Sequence, residues 1–239
     1  MQAAEWRKEI GEMVRAHMRS PALEHYFSVK MNNARARLMI TQLGLYIRHR
    51  RDCWAHVSAN CPVMAVKRAI LQHEYGEVIK DQYSDYGHLH LIVRQAERLG
   101  MTAEQVLDTK PIPTTRATLY AWAWLTHSKS WIEGLAALTV TEWTNDDRLL
   151  RDLGGGHSTR MARRWTEDMG IPWRDMPNFV AHSQADEVHS DMFLPFLERY
   201  ARGELEQLAL DAVQESLDLF ALYREGVARA MEQIPLNGN

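Results

Sequence analysis

The sequence predicts an all-α bundle of about seven to nine helices, on three observations. Apolar residues recur at spacings of three and four over most of the chain, and the strict alternation of a half-buried strand is nearly absent. Glycine and proline are sparse, 13 and 8 among 239 residues, and cluster where helices should start or stop. With 46% hydrophobic and 25% charged residues the chain is long enough for one sizeable core, so one domain is expected over residues 1–239.

Helices are expected at about 4–18, 22–31, 33–58, 62–82, 86–99, 115–144, 156–169, 178–201 and 204–231. Pro21 and Pro62 stand at N1-like positions, where a missing N–H costs nothing. Leu99-Gly100-Met101-Thr102 closes one helix with a glycine and caps the next with Thr102. PIPTT at 111–115 is a short connection in mid-chain. DLGGGHST, residues 152–159, has no preceding strand and no following Gly-Lys-Ser/Thr. It reads as an interhelical turn with Ser158 as a cap rather than as a phosphate loop.

Charge and segment content narrow the partners. A formal charge of -3 and a pI near 6.4 provide no polybasic patch, which argues against nucleic acid and anionic membranes and favours a small-molecule substrate or another protein. The N-terminal stretch has no continuous apolar region of a secretory signal, and no run of about 18 apolar residues appears, so a cytoplasmic location is expected. Cys53 and Cys61 are the only cysteines and lack a C-x-x-C spacing, which predicts free structural thiols.

The chemistry concentrates in NFVAHSQADEVHSDMFLPFLERY. On a helix, His182, Asp186 and His189 fall at i, i+4 and i+7, on the line that also carries Phe179, Phe193, Phe196 and Tyr200. Burying two imidazoles and a carboxylate costs several kcal/mol unless they are paired or bind metal. Residues at i and i+4 lie about 5–6 Å apart at Cβ, whereas i and i+7 are separated by about 10 Å along the axis, so two metals with Asp186 between them suit the triplet better than one. In SKSWIEGLAALTVTEW, Glu142 continues the face of Ile132, Leu135 and Leu138, where leucine would be expected. His88 heads another apolar helix and is preceded by Glu74, Glu77, Asp81 and Asp85. Asp81 is its natural partner if the helix is continuous, and Glu74 swings in if the chain breaks at Gly76 or Gly87.

This order of carboxylate, histidine, glutamate and His-x-x-x-Asp-x-x-His resembles the haem-oxygenase-like di-iron oxidases, related to the pyrroloquinoline-quinone synthase and TenA-like folds. HEYGE followed by HLHLIVRQAERLGM is similar to that family's Glu-rich segment and His-headed helix. The likeness runs from ALEHYF near residue 22 to the last helix. It implies a haem-oxygenase-like helical bundle with His88, Glu142, His182, Asp186 and His189 as ligands and Glu74 or Asp81 as the sixth. It also implies two Fe(II) per chain and O2 as co-substrate. A carboxylate and imidazole set suits iron or manganese, and no Cys₂His₂-like zinc set exists.

The implied activity is oxidation of a small amino-acid-like substrate by N-oxygenation, oxidative C–C cleavage or nitrile formation. The tryptophans of WAWLTHSKSW, Trp122, Trp124 and Trp131, tilt the expectation toward an aromatic amino acid such as tryptophan. Alternatives are a 4-aminobenzoate-synthase-like or fatty-acid-cleaving member, or a metal-free binding protein of the same fold; a homodimer is left open. Tyr26 stands where some relatives keep a cavity tyrosine, although a core position is the simpler reading. Arg94 and Lys80 are candidates for holding a substrate carboxylate, with solvated surface charge as the default. His73, His90, His127 and His157 carry no assigned role.

Overall fold

Helices form where the apolar spacing predicts them, and caps decide where they break. The computed structural model describes residues 1–236, the side chains of residues 185–189 excepted. Among the described residues there are twelve α-helices and no strand. They are α1 (Ala3–Met18), α2 (Pro21–Ser28), α3 (Asn33–Asn60), α4 (Met64–Val78), α5 (Gly87–Glu97), α6 (Ala103–Leu107), α7 (Pro113–Ser128), α8 (Trp131–Trp143), α9 (His157–Met169), α10 (Pro177–Met192), α11 (Leu194–Tyr200) and α12 (Glu204–Glu232).

The helix count exceeds the expected range because two expected helices each divide and the short α6 is additional, while a third expected helix ends early. The 115–144 helix is two: Ser130 accepts from the Glu133 N–H while the Glu133 carboxylate accepts from the Ser130 N–H, a reciprocal cap that starts α8 afresh. The 178–201 helix divides at Phe193, with Pro195 in the first turn of α11, where its missing N–H is harmless. The 62–82 helix is shorter, running from Met64 to Val78, and Pro62 lies before its N-cap Val63 rather than at N1. Thr102 does cap, sharing a reciprocal cap with Gln105 at the start of the short α6.

Ser158 is not a cap. Gly156 holds that position, and a Cβ there would meet the Asn145 backbone at 2.6 Å. The Asn145 side chain instead accepts from both the N–H and the hydroxyl of Ser158, so a residue from the preceding turn satisfies the open helix end.

The long α12 packs against α8, α7 and α2, while α3 lies against α7, α5 and α8, and α10 against α9, α5 and α8. Trp6, Trp54, Trp122, Trp143 and Trp165 are fully buried in the shared core. Both cysteines are buried and unbridged. No described helix is long and apolar enough to cross a membrane.

His17 of α1 is buried beside Phe220 of α12. Burial, and then the charge of Arg224, pull its pKa from 6.5 down to about 3. The native state therefore keeps it neutral where the unfolded chain already binds a proton. Its contribution to stability is complete above about pH 6.5 and is lost as pH falls toward 3, at up to about 1.4 kcal/mol per pH unit. Urea unfolding of His17→Phe between pH 6.5 and 4 is expected to show a pH slope about one proton shallower than wild type. Equal slopes would mean that His17 is charged in the native state.

Candidate metal centre

Four helices and one turn bring the site together. On α4, Val66, Ile70, His73 and Glu77 recur at helical spacing and are all buried, so the face that starts apolar ends in an imidazole and a carboxylate. After Val78 the chain leaves the helix, and Asp81 Oδ1 accepts from the N–H groups of Tyr83 and Ser84, 2.8 Å each. This turn points Asp81 Oδ2 back at His88 Nε2, 2.9 Å away. The other ring nitrogen of His88 is 2.9 Å from Glu77 Oε1. The helix is not continuous, yet Asp81 reaches His88, and the glutamate at the ring's other nitrogen is Glu77 rather than Glu74.

Gly87 makes that return path. Its φ is +71°, and a Cβ would lie 2.6 Å from the carbonyl oxygens of both Glu77 and Val78. Gly87→Ala is expected to cost about 2 kcal/mol, from left-handed strain together with the clash. It should also weaken metal uptake by moving Asp81 away from His88. Thermal unfolding and a metal titration check the two effects, and an unchanged midpoint would show that the turn relaxes freely.

Glu74 faces elsewhere. It pairs with Arg51 Nη1 at 2.9 Å and with His73 Nδ1 at 3.0 Å. Arg51 also reaches Glu77 at 3.0 Å. Glu142, buried near the end of α8, lies 3.7 Å from His73 Nε2 and 3.8 Å from Arg50 Nη2. From α10, the His182 ring meets the His88 ring edge to face with centroids 4.8 Å apart. Glu74, Asp81, His88, Glu142 and His182 thus all belong to one neighbourhood. The side chains of Asp186 and His189 lie outside the described residues.

Electrostatics show what the cluster lacks. Burial opposes a charge on His88, but Glu77 and Asp81 outweigh it and push the pKa up to about 9. Burial likewise opposes the Glu77 carboxylate, while Arg51 and then His88 hold it well below the usual range. Among the described residues, Arg50 and Arg51 pair with Glu142, Glu74 and Glu77, and a proton on His88 adds positive charge beside Glu77 and Asp81. A site with surplus carboxylates, and imidazoles against them, is chemically suited to a divalent cation. As placed, no group of three or more His, Cys, Asp or Glu closes round one point among the described residues.

His73 and Arg50 have no role in the sequence reading, and Glu77 figures there only as one of four carboxylates preceding His88. Both His73 and Glu77 follow from extending the Val66–Ile70 face. Arg50 likewise interrupts the buried line Met39, Tyr46, Cys53 and Val57 on α3. His157 is buried against Tyr26, whose hydroxyl lies 3.3 Å from its Nε2. Burial, followed by Arg224 and His182, holds His157 neutral, well below its ordinary range. Arg94 and Lys80 are exposed. Trp122 is packed in the core, Trp124 is exposed, and neither they nor Trp131 line the cavity beside the cluster.

Comparison with known proteins agrees with the architecture. A Shewanella denitrificans OS217 domain of unknown function with a heme oxygenase-like fold superposes with a TM-score of 0.76 at 16% identity, over 97% of this chain and 94% of that one. A CADD-like protein of unknown function from Nostoc punctiforme PCC 73102 gives 0.75 at 13% identity, covering 95% and 97%. A TenA homologue from P. horikoshii OT3 gives 0.69 at 12%, covering 96% and 99%. The all-α bundle is therefore a heme oxygenase-like fold. No curated protein matches the sequence. Residues 37–221, which include the whole carboxylate and imidazole cluster, match the family described as iron-containing redox enzyme, and the chain belongs to that family.

Proposed function

We propose that this protein is a non-haem di-iron oxidase that uses O2 to oxidise a small amino-acid-like substrate. The observation that carries the reading is the fully buried His88 with Glu77 and Asp81 at its two ring nitrogens and Glu142 and His182 nearby, set in an apolar bundle. Asp81, His88, Glu142 and His182, with Asp186 and His189, would hold the metal, and Glu77 is a further carboxylate within reach of His88. Bound iron supplies the electrons that activate O2.

The chain's own residues do the positioning. A carboxylate on one nitrogen of His88 fixes the ring while the other nitrogen serves as ligand. Arg51 tethers Glu74 and Glu77 and helps hold Glu77 as a carboxylate. His73 stands between Glu74 and Glu142, with Nδ1 3.0 Å from Glu74 and Nε2 3.7 Å from Glu142. Trp54 stacks on Phe193 at 4.8 Å, and both rings pack against His73 and shield that side of the cluster from water.

The test is anaerobic addition of ferrous iron to metal-free protein, with iron counted per chain and O2 then admitted. Close to two irons per chain, O2 consumption and a transient visible absorption are expected. Failure to take up iron would leave a polar structural core and a metal-free binding protein.

A further inference from the structure

The cavity beside the cluster contains a charge that no carboxylate among the described residues pairs with. On α12 the buried stripe runs Val213, Leu217, Phe220, Arg224, Val227 and Met231, so Arg224 occupies a position where the spacing calls for an apolar side chain. It is 4% exposed, and its Nε and Nη1 have no hydrogen-bond partner. Its neighbours are aromatic: the guanidinium carbon lies 5.2 Å from the Phe220 ring centre and 5.8 Å from that of Tyr26. No carboxylate among the described residues pairs with it. Such a cation costs several kcal/mol to bury, and aromatic faces return only a part.

Arg224 lines the same cavity as Glu142 and His182. Asn178, at the start of α10, lines it as well, is 1% exposed, and has a buried Oδ1 without a partner. The lining thus offers unsatisfied donors and an unsatisfied acceptor, and Leu43, Ile47 and Phe220 contribute apolar surface. The cavity leaves about 50 Å³ open to water-sized molecules, a few times the roughly 10–15 Å³ that one water needs, so its ligand is compact.

We propose that Arg224 is the substrate-carboxylate anchor of this cavity and that Asn178 accepts a hydrogen bond from the substrate's amine, which makes a short apolar amino acid the preferred ligand. This rests on the oxidase reading only in calling the ligand a substrate. Arg224 is the physical choice because a guanidinium binds a carboxylate through two parallel N–H donors, and burial in an aromatic pocket strengthens the pair. Arg94 and Lys80, being exposed, offer no such seat.

The experiment is titration of metal-free protein with L-norvaline, butanoate and L-norvalinamide at constant ionic strength, followed calorimetrically, for wild type, Arg224→Met, Arg224→Lys and Asn178→Leu. Wild type is expected to bind norvaline at least tenfold more tightly than norvalinamide. Arg224→Met should lose at least tenfold for norvaline and butanoate alike, Arg224→Lys should retain part of the preference for the acid, and Asn178→Leu should weaken norvaline severalfold while leaving butanoate unchanged. The thermal midpoint of ligand-free Arg224→Met should be equal to or above that of wild type, because an unpaired buried cation has been removed. A residue serving only the fold would lower it.

Wild type that ignores norvaline, or that binds acid and amide equally, overturns the proposal, as does Arg224→Met binding norvaline as wild type does. Ferrous iron uptake measured on the same proteins separates the two readings. Arg224→Met should load iron normally. Selective norvaline binding in a wild type that takes up no iron would sink the oxidase and leave the anchor standing. Iron uptake without carboxylate selectivity would do the reverse.

Discussion

Replacing His88 with alanine is expected to lower ferrous iron uptake by at least one ion per chain and to slow O2 consumption by about 100-fold or more. His88 is completely buried, with a carboxylate oxygen 2.9 Å from each ring nitrogen. Loss of groups that merely orient a ligand commonly costs 10- to 100-fold in metal affinity or activity, and loss of the ligand itself costs more. Asp81→Asn and Glu77→Gln, measured in parallel, show which carboxylate shares the metal with His88: the ligand's substitution should match the His88→Ala defect, and the orienting residue's should fall short of it. Wild-type iron uptake by His88→Ala, accompanied by a lower thermal midpoint, would return the cluster to a purely structural role.

Arg51→Met is expected to destabilise the metal-free protein by about 3 kcal/mol and to be partly rescued by a divalent cation. Arg51 is the shared partner of Glu74 and Glu77, and Glu77 is 5% exposed. Breaking a buried pair from one side leaves an uncompensated charge, which typically costs about 3–5 kcal/mol, and the proton on His88 keeps the figure at the low end. Urea unfolding at neutral pH measures the loss. Adding ferrous or manganous ion should shrink it, because a cation near Glu77 replaces the missing guanidinium. A loss that is the same with and without the ion would separate Arg51 from the metal chemistry. No loss at all would mean that Glu77 is not held as a carboxylate.

The parts of the site that were legible in the sequence share one property: each is a polar residue on an otherwise apolar helical face. His182 on the line of Phe179 and Phe193, and Glu142 on the line of Leu135 and Leu138, declare themselves by spacing alone. His73, Arg50 and Arg224 obey the same rule, but a polar residue with no obvious sequence neighbour reads as solvated or as incidental to the core, so spacing assigns them no role; Glu77 is legible only as one of four carboxylates preceding His88. The Ser130-x-x-Glu133 pattern that divides α7 from α8 was equally visible and equally overlooked.

The sequence by itself determined the all-α class, most helix ends and the inward polar positions, because hydrophobic period and capping act within a few residues along the chain. It did not determine which carboxylate meets His88. That depends on the path of residues 79–86, where the Asp81 turn and the left-handed Gly87 fold the chain back so that Glu77 and Asp81 reach opposite nitrogens of one ring. Nor did it determine which cation answers Glu77 or which is left unanswered beside Tyr26 and Phe220. Arg51 finds its carboxylates from α3, and Arg224 on α12 finds none among the described residues, because helices far apart in sequence pack there, and only that packing decides which buried charges are within reach of one another.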